Sequence, residues 1–439
     1  MKTLRFAIAA AAVVGSVSTF ATNARVESMG KNSTFIMDDI SIFDNPANIN
    51  LYPNFLIGEL GNYITLTDSV GPGQNRDPLD PWFGGIFSLK ISADNSISIA
   101  GVLNRKEERL LKYFPNRVIS ANSPIEYRDI GEPAPVPATN FDGFLGANIG
   151  SKAFGAHVYL AHQDGLNGDG RISPEAFTSA LQVDLGTNIE ISNDYSIEVS
   201  IGSARMQFGP RDRKLFDPDL LSYFGNIRLF SRINAINGHL IPVASFRNMV
   251  APGRDELDAG LGMGVDAAFD RGFFWMGLKG FYNNQRAGST WTVNNNGESV
   301  FTDDLTSDLW GEGSIARLWQ FGGTISFGIE KNIWWDWFVL RVGGQKTIAY
   351  ADYKAGGEPD GRSILCPNKK ASGCKSDGNY FITNKTSDGT RDDNVGFGFG
   401  INVEEKLKID ATVAEDVVFR NPFQGEGRLI SRISATYSF

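Results

Sequence analysis

The chain has 439 residues, with 41 Lys+Arg against 50 Asp+Glu and a formal net charge of −9. That acidity argues against a nucleic-acid binder, whose affinity comes from neutralising phosphates, and three histidines with two cysteines leave little for a His/Cys metal centre. A hydrophobic content of 42% and a mean hydropathy of −0.18 exclude a bundle of membrane helices, but not a membrane β-barrel, whose strands alternate apolar and polar residues and average to a soluble-looking value.

Lys2 and Arg5 precede the apolar run Phe6 to Val14, and small and hydroxyl residues follow to Ala21. This order is that of a secretory signal peptide, residues 1–21, with cleavage after Ala21 or, as the alternative, after Ala24. The run is shorter than the ~20 residues a spanning helix needs. The mature chain is therefore expected to be exported without a helical anchor.

Residues 25–51 do not alternate cleanly. They carry Met29-Gly30, then Asp38-Asp39, then Asn45-Pro46-Ala47. In these places the sequence resembles the superfamily of long-chain fatty-acid outer-membrane transporters, which includes the shuttle barrels of the type-nine secretion system. Asn48-Ile49 departs from the Gly-Leu that usually follows the triplet. The resemblance implies an N-terminal plug within a barrel lumen. Pro46 fixes its backbone, Asn45 makes side-chain turns, and Phe35, Ile36, Ile40, Ile42 and Phe43 need cover that a free tail lacks. The alternative is a loosely ordered lead-in to the first strand.

From Tyr52 to Phe439 the chain reads as short strands and turns. Tyr195, Ile197, Val199 and Ile201 oppose Ser196, Glu198 and Ser200; Val395, Phe397, Phe399 and Ile401 alternate with Gly396, Gly398, Gly400 and Asn402. Leu407, Ile409, Ala411 and Val413 oppose Lys408, Asp410 and Thr412. Such a period of two puts one face in an apolar medium and one in a polar medium. A soluble sandwich alternates too, so the connections decide. Tight turns near 93–95, 151–152, 192–194, 237–238, 270–272, 331–332 and 404–406 alternate with longer segments at 65–81, 105–140, 164–176, 208–223, 251–257, 285–312, 350–391 and 416–426. All long loops then leave at one end, as in outer-membrane barrels. The expected fold is all-β: a transmembrane antiparallel up-and-down barrel over residues 52–439. About sixteen strands are expected, an even number as closure requires, with fourteen, the usual family number, as the alternative. Pro242 falls inside the ninth strand, where its missing N–H cannot donate to a ladder.

Trp82, Trp275, Trp319, Trp334, Trp335 and Trp337 fall in or beside strands, where interfacial girdles need them; carbohydrate stacking is the alternative. The final strand ends on Tyr437 and Phe439 on its apolar face, which resembles the assembly signal of bacterial outer-membrane barrels. Cys366 and Cys374 lie in a polar loop and are expected to form one small disulfide in an oxidising compartment.

Loops carry the remaining candidates. Leu215, Phe216, Leu220, Leu221, Tyr223 and Phe224 make one loop too apolar for free solvation, and Arg105–Phe114 reads as a short amphipathic helix. By resemblance both form a ligand-capture groove; packing as a lid is the alternative. The stretch Asp164–Glu175 misses an EF-hand loop, because Gly165 and Ala176 fall where carboxylates are required. No metal is expected. His157 is expected to face the lumen and His162 the outer rim, and without a nucleophile signature no enzyme is expected. The lumen-facing charges Asp184, Glu198, Asp266, Lys279, Arg341, Lys408, Asp410 and Arg432 are expected to pair with one another.

The expected function is passive transport of small hydrophobic molecules across the bacterial outer membrane. The alternatives are a general diffusion porin and a non-transporting surface scaffold or secretion-associated barrel. The expected partners are outer-membrane lipids, the barrel assembly machinery and a small hydrophobic ligand, with no nucleic acid and no nucleotide or redox cofactor.

Overall fold

Residues whose side chains alternate in character must alternate in direction, and they do so around a closed wall. The computed structural model describes residues 22–30, 32–60, 81–111, 119–120, 139–164, 176–210, 221–251, 254–287, 291–293, 299–301, 316–354, 378–382, 394–404, 406–413 and 430–439. Residues 1–21, the expected signal peptide, lie outside them.

The strands are β1 (Phe55–Leu60), β2 (Trp82–Lys90), β3 (Asn95–Leu103), β4 (Thr139–Ile149), β5 (Lys152–Asp164), β6 (Ala176–Ser192), β7 (Tyr195–Pro210) and β8 (Leu221–Ile233). They continue as β9 (Gly238–Ala251), β10 (Arg254–Phe269), β11 (Gly272–Ala287), β12 (Ala316–Asn332), β13 (Phe338–Lys354), β14 (Asn394–Val403), β15 (Leu407–Val413) and β16 (Ile430–Ser438). Each pairs antiparallel with the next, and β1 pairs with β16 to close the barrel. The short piece Gly378–Ile382 extends β14, since both lie against successive halves of β13. The barrel thus has the expected sixteen strands, not fourteen.

Two expected connections differ. Of the segment 251–257, expected as a loop, Ala251 and Arg254–Leu257 are strand: β9 and β10 stay in register to Ala251↔Arg254. The turn expected at 331–332 lies at 333–337, because β12 and β13 remain paired out to Asn332↔Val339. Pro242 does interrupt β9, whose ladder to β8 skips from Leu240↔Ser231 to Val243↔Arg228.

The outward face is an apolar belt, with Leu261 72% exposed beside Leu89, Phe83, Ile99 and Ile201. Hydrocarbon is the medium that such a belt requires. Aromatic rings rim both ends. Trp319 packs with Tyr282 and Tyr350 at the loop end, and Trp334, Trp335 and Trp337 gather in the turn 333–337 at the other. Tyr437 and Phe439 share that second rim, where Phe439 meets Phe87. Trp82 and Trp275 are not in a girdle: both are buried on the inner face, as Trp275 must be, sharing the parity of Lys279 and Asn283 on β11.

Into this wall runs the N-terminal segment. It comprises helix α1 (Asn23–Ser28) and two 3-10 turns, Asp39–Phe43 and Pro46–Leu51. The residues that stood out in the sequence are its caps. The Asp38 carboxylate accepts from Ser41 N at 3.1 Å, the Asn45 side chain from Ala47 N at 3.1 Å, and Pro46 opens the second turn, where no N–H is missed.

Candidate functional site

The interior is occupied by this segment, which the wall holds through charge, apolar packing and close backbone approach. At α1, Arg25 forks onto Glu330 of β12 through two contacts of 2.8 Å. Arg341 of β13 bridges Glu330 at 3.0 Å and Asp410 of β15 at 2.6 Å, and Asp410 accepts from Thr22 at 3.1 Å. Arg432 lies 3.1 Å from Glu27 and 3.3 Å from Glu59 of β1. On the far side, Arg228 of β8 pairs with Glu198 at 2.8 Å and donates to Ile36 O at 3.0 Å.

Apolar residues of the segment fill two clusters. Ile42, Phe43 and Ile49 pack with Phe55, Ile57, Trp82, Ile86 and Phe144. Met29, Phe35 and Ile36 pack with Phe230, Ile241, Val243 and Trp275. The apolar side chains that needed cover thus find it in the wall.

Backbone approach is set by glycines aligned across strands. Gly146, Gly155 and Gly186 are register partners on β4, β5 and β6, and Asn45–Asn50 lies along them: a Cβ on Gly155 would stand 2.2 Å from the Pro46 carbonyl carbon. Gly328, Gly343 and Gly396 form a second row under Glu27–Met29, and the pair Gly264–Gly277 seats the Phe35 ring. Above the first row, Asn45 donates to Asn188 at 2.6 Å, and Asn50 donates to Phe154 O at 2.9 Å.

The lumen-facing residues expected from the sequence are placed inward. Asp184 partners His157, Glu198 partners Arg228, Asp410 partners Arg341, and Asp266 faces His239 at 3.0 Å. His157 faces Asp184 at 2.6 Å through Nδ1 and Asp142 at 2.9 Å through Nε2, with Phe144 stacked on the ring. Both ring nitrogens are thus engaged by wall carboxylates, which fixes the orientation of the imidazole. His162 is exposed on the other face.

Of the candidate plug residues, Asp38, Asp39, Asn45, Pro46 and Ala47 are all buried within the barrel. Of the candidate capture residues, Leu221, Tyr223 and Phe224 belong to β8, with Tyr223 outward and Phe224 half-buried. Leu215, Phe216 and Leu220 lie outside the described residues, as do Cys366, Cys374 and the 165–175 stretch. Among the described residues no cluster of His, Cys, Asp and Glu is arranged to hold a metal. The sequence reading missed Arg25, Glu330 and Asp142; a cation at the start of the N-terminal segment and inward carboxylates on the wall were their signal.

The adjacent acids Asp38 and Asp39 are the segment's unbalanced charges. Burial pushes Asp38 up to about 6, with Arg25 opposing and Asp44 adding to the shift. Asp39 lies well above the usual carboxylate range through burial and through Asp38 and Asp410, and neither of its oxygens has a hydrogen-bond partner among the described residues. The held segment therefore retains protons that a released one gives up. Its retention is strongest below the ordinary carboxylate value and weakens as pH rises through about 6. Hydrogen exchange at 38–45, corrected for intrinsic rates, should rise across that interval. It should become flat in the double variant Asp38→Asn/Asp39→Asn, in which the side-chain oxygen at position 38 still accepts from Ser41 N.

No protein-family model matches the chain. No curated protein matches it either. Among solved structures it is similar to the Pseudomonas putida toluene transporter TodX, with a TM-score of 0.37 and 10% identity over 95% of this chain and 97% of that one. It is also similar to CdiB from Escherichia coli, with a TM-score of 0.39 and 10% identity over 88% of this chain and 63% of that one. A bacterial polysaccharide outer membrane secretin gives a TM-score of 0.39 and 7% identity over 88% and 97%. The chain spans less than two thirds of the length of CdiB. These are likenesses of barrel architecture.

Proposed function

We propose that the protein is an outer-membrane channel for small hydrophobic molecules, closed by residues 22–51 acting as a plug. The observation that carries this reading is the seating of that segment on the inner wall by ion pairs, two apolar clusters and glycine rows. An inner wall bearing Phe55, Trp82, Phe144, Phe230 and Trp275 differs from the polar lumen of a diffusion porin. Movement of the plug bares these surfaces, and they offer an apolar molecule a path from the mouth. In this reading Leu215–Phe224 contributes to capture at the loop end, Cys366 and Cys374 staple a loop, and Tyr437 with Phe439 is the signal read during assembly. The leader directs the chain to the envelope.

The test is single-channel conductance in planar bilayers. The intact chain should be silent, and deletion of residues 22–51 should give large, steady conductance. Large conductance from the intact chain would favour the porin, and silence from both would sink the plug. In the deleted channel, a small aromatic hydrocarbon should block ion flow, and the Trp275→Ala variant should lose part of that block.

A further inference from the structure

β3 ends at the loop side of the barrel, and the chain does not leave the wall there. Asn104 turns it with a φ of 64° and donates its N–H to Asn140 O at 2.9 Å. Arg105–Leu111 then lies against the N-terminal segment. Arg105 forks onto Asp142 of β4 at 3.0 and 2.6 Å, reaches Glu107 at 3.0 Å, and sets its guanidinium 3.8 Å above the Phe43 ring. Glu107 N donates to the Tyr159 hydroxyl at 3.3 Å. Arg109 holds Glu107 at 2.6 Å, Asp44 at 3.0 Å and the Phe43 carbonyl at 2.9 Å. Leu110 is buried.

Ionisable side chains connect without a gap from wall to segment: Asp184, His157, Asp142, Arg105, Glu107, Arg109, Asp44. The two ends of this chain differ. The Arg105–Asp142 pair is 9% and 0% exposed, so it is a fixed anchor, whereas Arg109 and Asp44 are 32% and 29% exposed. A hydrated pair of that kind breaks and reforms readily.

We infer that Arg105–Leu111 is a strap that fastens Phe43–Asp44 to the wall from the loop side, so that displacement of Arg105–Leu111 releases this part of the N-terminal segment. The inference rests on the plug reading above. It places the control of opening at the loop mouth and the point of release at Arg109–Asp44. α1, held by Arg25 and Glu330, is outside the strap's reach and stays seated.

The test uses the full-length protein with Arg109→Ala, and with Asp44→Asn, which leaves the Arg109–Glu107 contacts in place. Heat-modified migration on gels checks that each barrel is folded. Arg109→Ala should raise the frequency of opening events and the exchange of amides at 41–48 by about fivefold, the scale of a partly exposed pair. Exchange at 26–30 should stay unchanged in both variants, and Asp44→Asn should give a smaller rise, about twofold, in the same two readouts. Unchanged exchange and opening in Arg109→Ala, in a protein whose 22–51 deletion conducts, would overturn the strap and leave the plug standing. A deletion that stays silent would overturn both. A uniform rise over 26–30 and 41–48 would show general loosening and also overturn the strap.

Discussion

Replacing Arg25 by alanine should release α1 while leaving the barrel closed on itself. Arg25 is buried with both its Nε and Nη2 on Glu330. Removing one member of such a pair leaves the partner desolvated, at a cost of about 3–5 kcal/mol. Here Arg341 remains 3.0 Å from Glu330, so the lower end applies. The helix has six residues, too few to persist without its wall contacts. Exchange of amides at 25–29 should therefore rise on the order of a hundredfold. Arg25→Lys should recover little, since a single ammonium cannot reproduce the two-pronged contact. Glu330→Gln leaves Arg25 and Arg341 facing a neutral amide, and combining it with Arg25→Ala should cost less than the two changes added together. Additive costs would mean that the pair does not hold the helix.

Sequence and structure agree where one rule governs many residues. A period of two, carried through sixteen strands, fixed inside and outside for almost every residue named in advance, including Lys408, Asp410 and Arg432 on one face and Val395, Phe397 and Tyr437 on the other. Trp82 and Trp275 depart from the girdle expectation because residue type outweighs parity in it. Trp275 lies two and four residues from Gly277 and Lys279, and the alternation alone puts it indoors. The polar start of β10 read as a loop because inward Glu256 finds Asn283 at 2.9 Å only across the next strand. The path of Arg105–Leu111 was beyond a local reading for a different reason. An amphipathic pattern gives a face to bury but not the surface it meets, and its partners Asp44, Asp142 and Tyr159 are scattered along the chain.

The glycines carry the largest share of what a sequence hides. Gly146, Gly155 and Gly186 look like unrelated strand glycines, each of which costs order in an extended chain. Their common purpose appears only when register places them side by side. The consequence is sharp at Gly155. An alanine there would set its Cβ 2.2 Å from both the carbonyl carbon and oxygen of Pro46 and 2.4 Å from Ala47 N. These are backbone atoms, pinned by the Asn45 cap and the Asn50–Phe154 bond, so no side chain can swing away to make room. Overpacking of this kind costs about 1–3 kcal/mol, more than the gain of about 0.5–1 kcal/mol from replacing a strand glycine. Gly155→Ala should therefore lift Asn45–Asn50 from the wall, raising local exchange and opening events about tenfold. Gly323→Ala is the matched control. It sits in β12 with no atom nearer than 3.9 Å to the new Cβ, and it should leave both readouts unchanged. Equal behaviour of the two variants would mean that the glycine row does not set how deeply the N-terminal segment is seated.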